Sequence, residues 1–156
     1  MFKINRRTDY AIRVMLCLAR RASGARLPTQ AVQKEMQIPR SFLQRIIADL
    51  ARVGLVNTFA GPNGGLELAR RAEAINLRQV WEAIEGPIQI SDCLTGREAC
   101  LFETDCPVNR RWQRLQALIT GELEAIRLDE LAQEASRLPA GLFDFTAFRS
   151  ERRHAV

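Results

Sequence analysis

The chain has 156 residues, enough for one hydrophobic core or a small domain with an appendage. Apolar residues make up 47% and charged residues 26%, an ordinary balance for a folded domain, and no apolar run approaches the ~18–20 residues of a membrane-spanning helix. The net charge of +5 is uneven: residues 1–90 carry fourteen Lys/Arg against seven Asp/Glu, and residues 91–156 carry nine against eleven. A basic front half suits a polyanionic partner. The start, Met1-Phe-Lys-Ile-Asn-Arg-Arg, lacks the apolar stretch of a signal peptide, so a cytoplasmic location with reduced thiols is expected.

Taken in chain order, the first helical pattern opens at Thr8, with Tyr10, Ala11, Val14, Met15, Leu18 and Ala19 on one face and Thr8 or Asp9 as its cap or first-turn acid. Ser23-Gly24 ends it. A second helix starts at Leu27-Pro28-Thr29, capped by Thr29, with Ala31, Val32 and Met36 inward. Pro39 then sits at the edge of a third helix, residues 40–53, which buries Leu43, Ile46, Ile47 and Leu50. Gly54 fits its C-terminal stop. Strand 55–59, the glycine-rich turn 60–65 and strand 66–68 form a β-hairpin.

Three helices followed by a hairpin read as a winged helix-turn-helix, and the positive half favours DNA over a plain three-helix bundle with a solvated basic surface. Arg40, Ser41, Gln44 and Arg45 occupy the first turns of the third helix, where base edges are read. Arg6, Arg7, Arg40 and Arg52 are candidates for phosphate neutralisation. In the wing, Asn63, Gly64 and Gly65 are further candidates, the two glycines because they permit close backbone approach to the nucleic acid.

A fourth helix, residues 77–85, turns Val80, Trp81 and Ile84 inward and stops at Gly86-Pro87. The polar segment that follows holds Cys93, Cys100 and Cys106 within fourteen residues. Three thiols cannot all pair with one another, and soft thiolates at loop-like spacing suit a metal or an iron–sulfur centre. Gaps of six and five residues are looser than the tight pairs zinc prefers. A metal-free redox switch is the alternative. Cys17 lies in the apolar run Met15-Leu-Cys-Leu and reads as a core residue, and the one histidine, His154, lies in the tail.

Pro107 opens a long helix lined by Trp112, Leu115, Leu118, Ile119, Leu123 and Ile126. At ~20 residues it reaches about 30 Å, longer than this small core can cover, so it is expected to pack against a second copy. The expected organisation is mainly α: a DNA-binding domain over residues 1–90, a cysteine loop over 91–106, a dimerisation helix region over 107–136, and a partly disordered tail over 137–156. No catalytic constellation appears, and an enzyme is not expected.

Four motifs in this order, Thr8-Asp9-Tyr10-Ala11-Ile12-Arg13, Pro39-Arg40-Ser41-Phe42-Leu43, Gly61-Pro62-Asn63-Gly64-Gly65 and the three-cysteine loop before a long helix, give a chain that over residues 1–135 closely resembles the bacterial winged-helix repressors that bind iron–sulfur clusters. The resemblance implies a homodimer bound to operator DNA, with Cys93, Cys100 and Cys106 ligating a [2Fe–2S] or [4Fe–4S] cluster. Some members supply the fourth ligand from a histidine just after the third cysteine, where this chain reads Pro107-Val108-Asn109. Others use an aspartate in the first helix of the partner subunit, and Asp9 stands at the matching position. Some members also carry a wing arginine that enters the minor groove; Phe59-Ala60 stand there in this chain.

Overall fold

A computed structural model describes residues 4–62, 64–94 and 106–137. Asn63, Cys100 and the tail beyond residue 137 lie outside the described residues, as do the expectations attached to them. Among the described residues there are six α-helices and one two-stranded antiparallel sheet, and no helix is long and apolar enough to cross a membrane.

Helix α1 (Arg6–Ala19) is the central post. Asn5 caps it, its side-chain oxygen accepting from the backbone N–H groups of Arg7 and Thr8 at 2.8 and 3.0 Å. Thr8 and Asp9 therefore do not begin the helix. The apolar period starts only at Tyr10, so the pattern places the start about a turn late. Thr8 instead turns fully inward, its hydroxyl donating to the carboxylate of Glu85. Ala11, Val14, Met15 and Leu18 fill the buried face, the 3.6-residue repeat that makes an amphipathic helix pack.

Helices α2 (Thr29–Met36) and α3 (Arg40–Arg52) are the helix-turn-helix pair, both packed on α1 or its flank. Thr29 is the first residue of α2 and not its cap; Pro28 holds the cap position without a side-chain bond. Only Val32 and Met36 of α2 are buried, and Ala31 faces outward, so two residues anchor this short helix. Helix α3 buries Leu43, Ile46 and Leu50 and leaves Ile47 half-buried against the core. Each such side chain contributes about 1.5–3 kcal/mol on burial.

Strands β1 (Val56–Phe59) and β2 (Gly65–Leu68) pair antiparallel from Val56↔Leu68 to Phe59↔Gly65. Leu27, from the α1–α2 connection, adds an isolated bridge to Leu66, with N–H···O distances of 2.8 Å in both directions. The wing is thus hydrogen-bonded to the body on its β2 side. A 3-10 turn, Ala72–Ala74, leads into α4 (Leu77–Glu85), which opens with a capping box between Asn76 and Gln79 worth about 1 kcal/mol.

Helix α5 (Pro107–Ala125) begins at Pro107 as expected, with Cys106 at its cap position. The chain then breaks at Ile126-Arg127 and forms α6 (Leu128–Arg137). The region expected over 107–136 thus holds two helices with different surroundings, and α5 corresponds to the ~20-residue helix expected from Pro107. Helix α6 folds back on α1 and on the 3-10 turn, burying Leu128, Ala132 and Ala135. Helix α5 packs on α4 and on the cysteine-bearing turn, yet Asn109 is its one buried residue.

Candidate functional site

The face of α3 opposite its core residues presents Arg40, Ser41, Gln44 and Arg45, all exposed. Neither Arg40 nor Arg45 has an ion-pair partner among the described residues. Helix α1 meets this face through the edge of the Tyr10 ring, whose centroid lies 5.7 Å from that of Phe42. Beside it a cavity of about 450 Å³ is lined by Arg7, Ser41, Phe42, Arg45, Ala48 and Asp49.

Two of the expected phosphate contacts have a second occupation. Asp49 pairs with Arg7, and also with Arg52 at 3.1 Å. One carboxylate between two guanidiniums fixes α1 against α3 and partly cancels their charge. The uncommitted positive charge of this face is carried by Arg40 and Arg45, with Arg6 exposed on α1.

The wing glycines also have a role other than the expected one. A Cβ on Gly65 would stand 2.3 Å from the Leu27 carbonyl oxygen, and its φ is +151°. A Cβ on Gly64 would stand 2.2 Å from the Phe59 oxygen. Backbone lies against both, so these glycines are required by the hairpin itself. Gly65 is also buried.

On the far side of α4, the segment after Gly86-Pro87 runs along α5. The Ile90 backbone N–H donates to Gln116 Oε1 at 3.4 Å. Residues Asp92–Leu94 form a 3-10 turn that presents Cys93, half-buried, with the Ser91 hydroxyl 3.1 Å from its sulfur. Cys93 opens onto a cavity of about 760 Å³ between α4 and α5, which Arg78, Glu82, Asn109, Gln113 and Thr120 also line. Asn109, in the stretch just after the third cysteine, is buried and accepts a 2.6 Å bond from Gln113. Cys106 is also half-buried.

Cys17 differs from both. It is sealed in the core, where burial, with the nearby Glu35 carboxylate, pushes its thiol up to about 12. It stays protonated and is no ligand. Asp9 is partly exposed on the first turn of α1 and pairs with Arg13 at 2.6 Å. Among the described residues no three Cys, His, Asp or Glu side chains converge on one point. The set expected from the sequence includes Cys100, outside those residues, and an Asp9 acting across a dimer. The donor chemistry fits a thiolate-held cluster: Cys93 and Cys106 are accessible and bracket the segment that carries Cys100.

Sequence reasoning did not single out Glu85 or Arg26, and it gave Thr8 only a place at the start of the first helix. Thr8 and Glu85 are 77 residues apart and meet only because α1 lies on α4. Arg26 stacks on the Phe59 ring, 3.6 Å from its centroid, a pairing with no local pattern to announce it.

The profile of the Rrf2 family, described as iron-dependent transcriptional regulators, matches residues 4–134. The chain belongs to the Rrf2 family. It is similar to the HTH-type transcriptional regulator IscR of Photorhabdus laumondii, 31% identical over 122 residues, spanning 78% of this chain and 74% of that one. IscR of Aliivibrio salmonicida is 29% identical over 129 residues, 83% of this chain and 76% of its own. Among solved structures, CymR, the global cysteine regulator of B. subtilis, superposes with a TM-score of 0.70 at 23% identity, over 86% of this chain and 98% of that one. IscR of T. potens superposes with a TM-score of 0.69 at 20% identity, over 90% and 94%. These likenesses establish the winged-helix fold, and the Rrf2 chain is a DNA-binding transcription regulator, not an enzyme.

Proposed function

We propose that this Rrf2 protein is a homodimeric repressor whose operator affinity is set by an iron–sulfur cluster held by Cys93, Cys100 and Cys106, with Asp9 of the partner subunit as fourth ligand. The carrying observation is the division among the described thiols. Cys17 is buried and held protonated, whereas Cys93 and Cys106 stand half-exposed at the foot of α5. The family's iron dependence supports the same reading.

Helix α5 supports the dimer. Val108, Trp112, Leu115 and Leu118 are all at least 40% exposed and recur along one side of the helix. A stripe of this length left to water marks an interaction surface, and a second copy of α5 supplies a matching one. DNA would be met by α3 in the major groove, with Arg40, Ser41, Gln44 and Arg45 forward and the hairpin beside it. Arg7 and Arg52 reach phosphate only while sharing Asp49. The geometry suggests how the cluster region reaches α3. The cysteine segment follows directly on α4, whose last residue, Glu85, holds Thr8 of α1, and the neighbouring Arg7 holds Asp49 of α3.

The test is the visible spectrum, iron content and sulfide content of protein purified without oxygen. Visible absorbance with stoichiometric sulfide supports the cluster, and its band shape distinguishes [2Fe–2S] from [4Fe–4S]. Protein that lacks sulfide and resists reconstitution contradicts it. One observation favours a second reading, a cluster-free thiol switch on the same fold: the oxidised form of Staphylococcus aureus CymR superposes with a TM-score of 0.65 at 22% identity. In that case mild peroxide changes operator binding of colourless protein.

A further inference from the structure

From Val53 to Ala69 the chain contains no lysine or arginine, and its one charged residue is Glu67. The hairpin that should lie along DNA is therefore itself anionic. Phosphates on either side of the major groove create a strongly negative potential, and a wing without a cation would be repelled from it. The structure supplies the missing charge from elsewhere.

Arg26 precedes Leu27, whose backbone is bridged to Leu66 of β2. This bridge places Arg26 on the solvent face of the hairpin, the face that carries Asn57, Phe59 and Glu67. Its guanidinium lies 3.6 Å from the Phe59 ring centroid, and its Nε donates to Glu67 Oε2 at 3.4 Å. The other Glu67 oxygen accepts from Asn57 Nδ2 at 3.3 Å, which holds the carboxylate in place. The face of the guanidinium and its Nε edge are thus occupied. Its terminal nitrogens have no partner among the described residues, and the side chain remains 51% exposed. A planar cation stacked on an aromatic ring loses less freedom on binding than a free arginine.

We propose that Arg26 is the DNA-contacting cation of the wing, oriented by Phe59 and Glu67 toward the backbone and minor-groove edge beside the base pairs read by α3. The inference rests on α3 entering the major groove. It adds a residue from the α1–α2 connection to the interface and gives Phe59 the task of positioning it.

The experiment measures operator affinity over a series of salt concentrations, using full-length protein purified without oxygen and a duplex selected by the wild-type protein from a randomised pool. The variants are Arg26→Ala, Arg26→Lys, Phe59→Leu and, as a report on α3, Arg45→Ala, each checked for an unchanged melting temperature. Arg26→Ala is expected to weaken binding about tenfold and to lower the salt slope by about 1. Arg26→Lys and Phe59→Leu, which keep a charge but lose the fork or its support, should fall between wild type and Arg26→Ala. A loss that depends on A·T content in the flanks assigns the minor-groove edge; a loss equal for all flanks assigns phosphate. Arg26→Ala within twofold of wild type, while Arg45→Ala loses binding, overturns the inference and leaves the docking of α3 intact. If both variants bind like wild type, the docking reading fails with it.

Discussion

Cys17 is sealed in the core whereas Cys93 is half-buried beside a cavity, and the sealing of Cys17 is testable through its own thiol. The Cys17 thiol has an ordinary value of 9.0 when exposed and about 12 in the fold, because burial penalises the thiolate and Glu35 adds to the penalty. Between these values the unfolded chain releases a proton that the folded chain retains. Stability from this group is therefore complete below pH 9 and declines as pH rises toward 12. Urea denaturation at about pH 8 and about pH 10.5 should show wild type losing more stability than Cys17→Ala over the same interval. Equal losses would mean that the thiol is not sealed. The apolar neighbours Met15, Leu16 and Leu18 made the burial of Cys17 legible in the sequence. The second duty of Arg7 was not legible, because Asp49 reaches it from another helix, whereas that of Arg52 lies in its i,i+3 spacing from Asp49 on α3. Nor was the part played by Gly64 and Gly65, whose constraint is backbone brought close by folding.

At the scale of elements, helices with strong local signals were placed closely. Asn76 with its reciprocal partner Gln79 opens α4, Gly86 closes it, and Pro107 opens α5. The break between α5 and α6 carries no such signal. Ile126 and Arg127 are neither glycine nor proline, and the apolar repeat runs through them. What stops the helix is tertiary: the Leu77 N–H donates to the Ile126 carbonyl, and the Leu128 N–H to that of Ile75, at 3.0 and 2.9 Å. An extended bridge, Asn76↔Arg127, replaces the helical turn. This break turns α6 back into the winged-helix body, where Leu128 is fully buried. Leu128→Ala should accordingly cost about 2–5 kcal/mol in denaturant unfolding, the range for a large-to-small change in a packed core. A cost below about 0.5 kcal/mol, as for a surface site, would show that α6 is not part of that core.

For the whole molecule, the unequal treatment of α5 and α6 supports the proposed docking of a second copy on α5. Helix α6 spends its apolar residues on α1, whereas α5 leaves Leu118 62% and Trp112 40% exposed. Leu118→Glu should shift the protein from dimer to monomer in sedimentation equilibrium with little change in melting temperature, since this side chain touches little of its own protomer. An unchanged dimer would place the interface elsewhere. Rrf2 membership and the winged-helix architecture were both readable from the order of the motifs. The proposed route from the cysteine segment to α3 was not readable in this way, because Glu85 meets Thr8, and Asp49 meets Arg7, only through packing.

In the proposed mechanism a cysteine-held cluster sets DNA affinity. Its most direct test is the operator dissociation constant of one oxygen-free preparation before and after removal of the cluster by a chelator, beside a Cys93→Ala, Cys100→Ala, Cys106→Ala triple variant. Wild type is expected to change by about tenfold or more, within the usual range of allosteric coupling, and the triple variant not at all. Identical affinities for wild type with the cluster, wild type without it and the triple variant would contradict it.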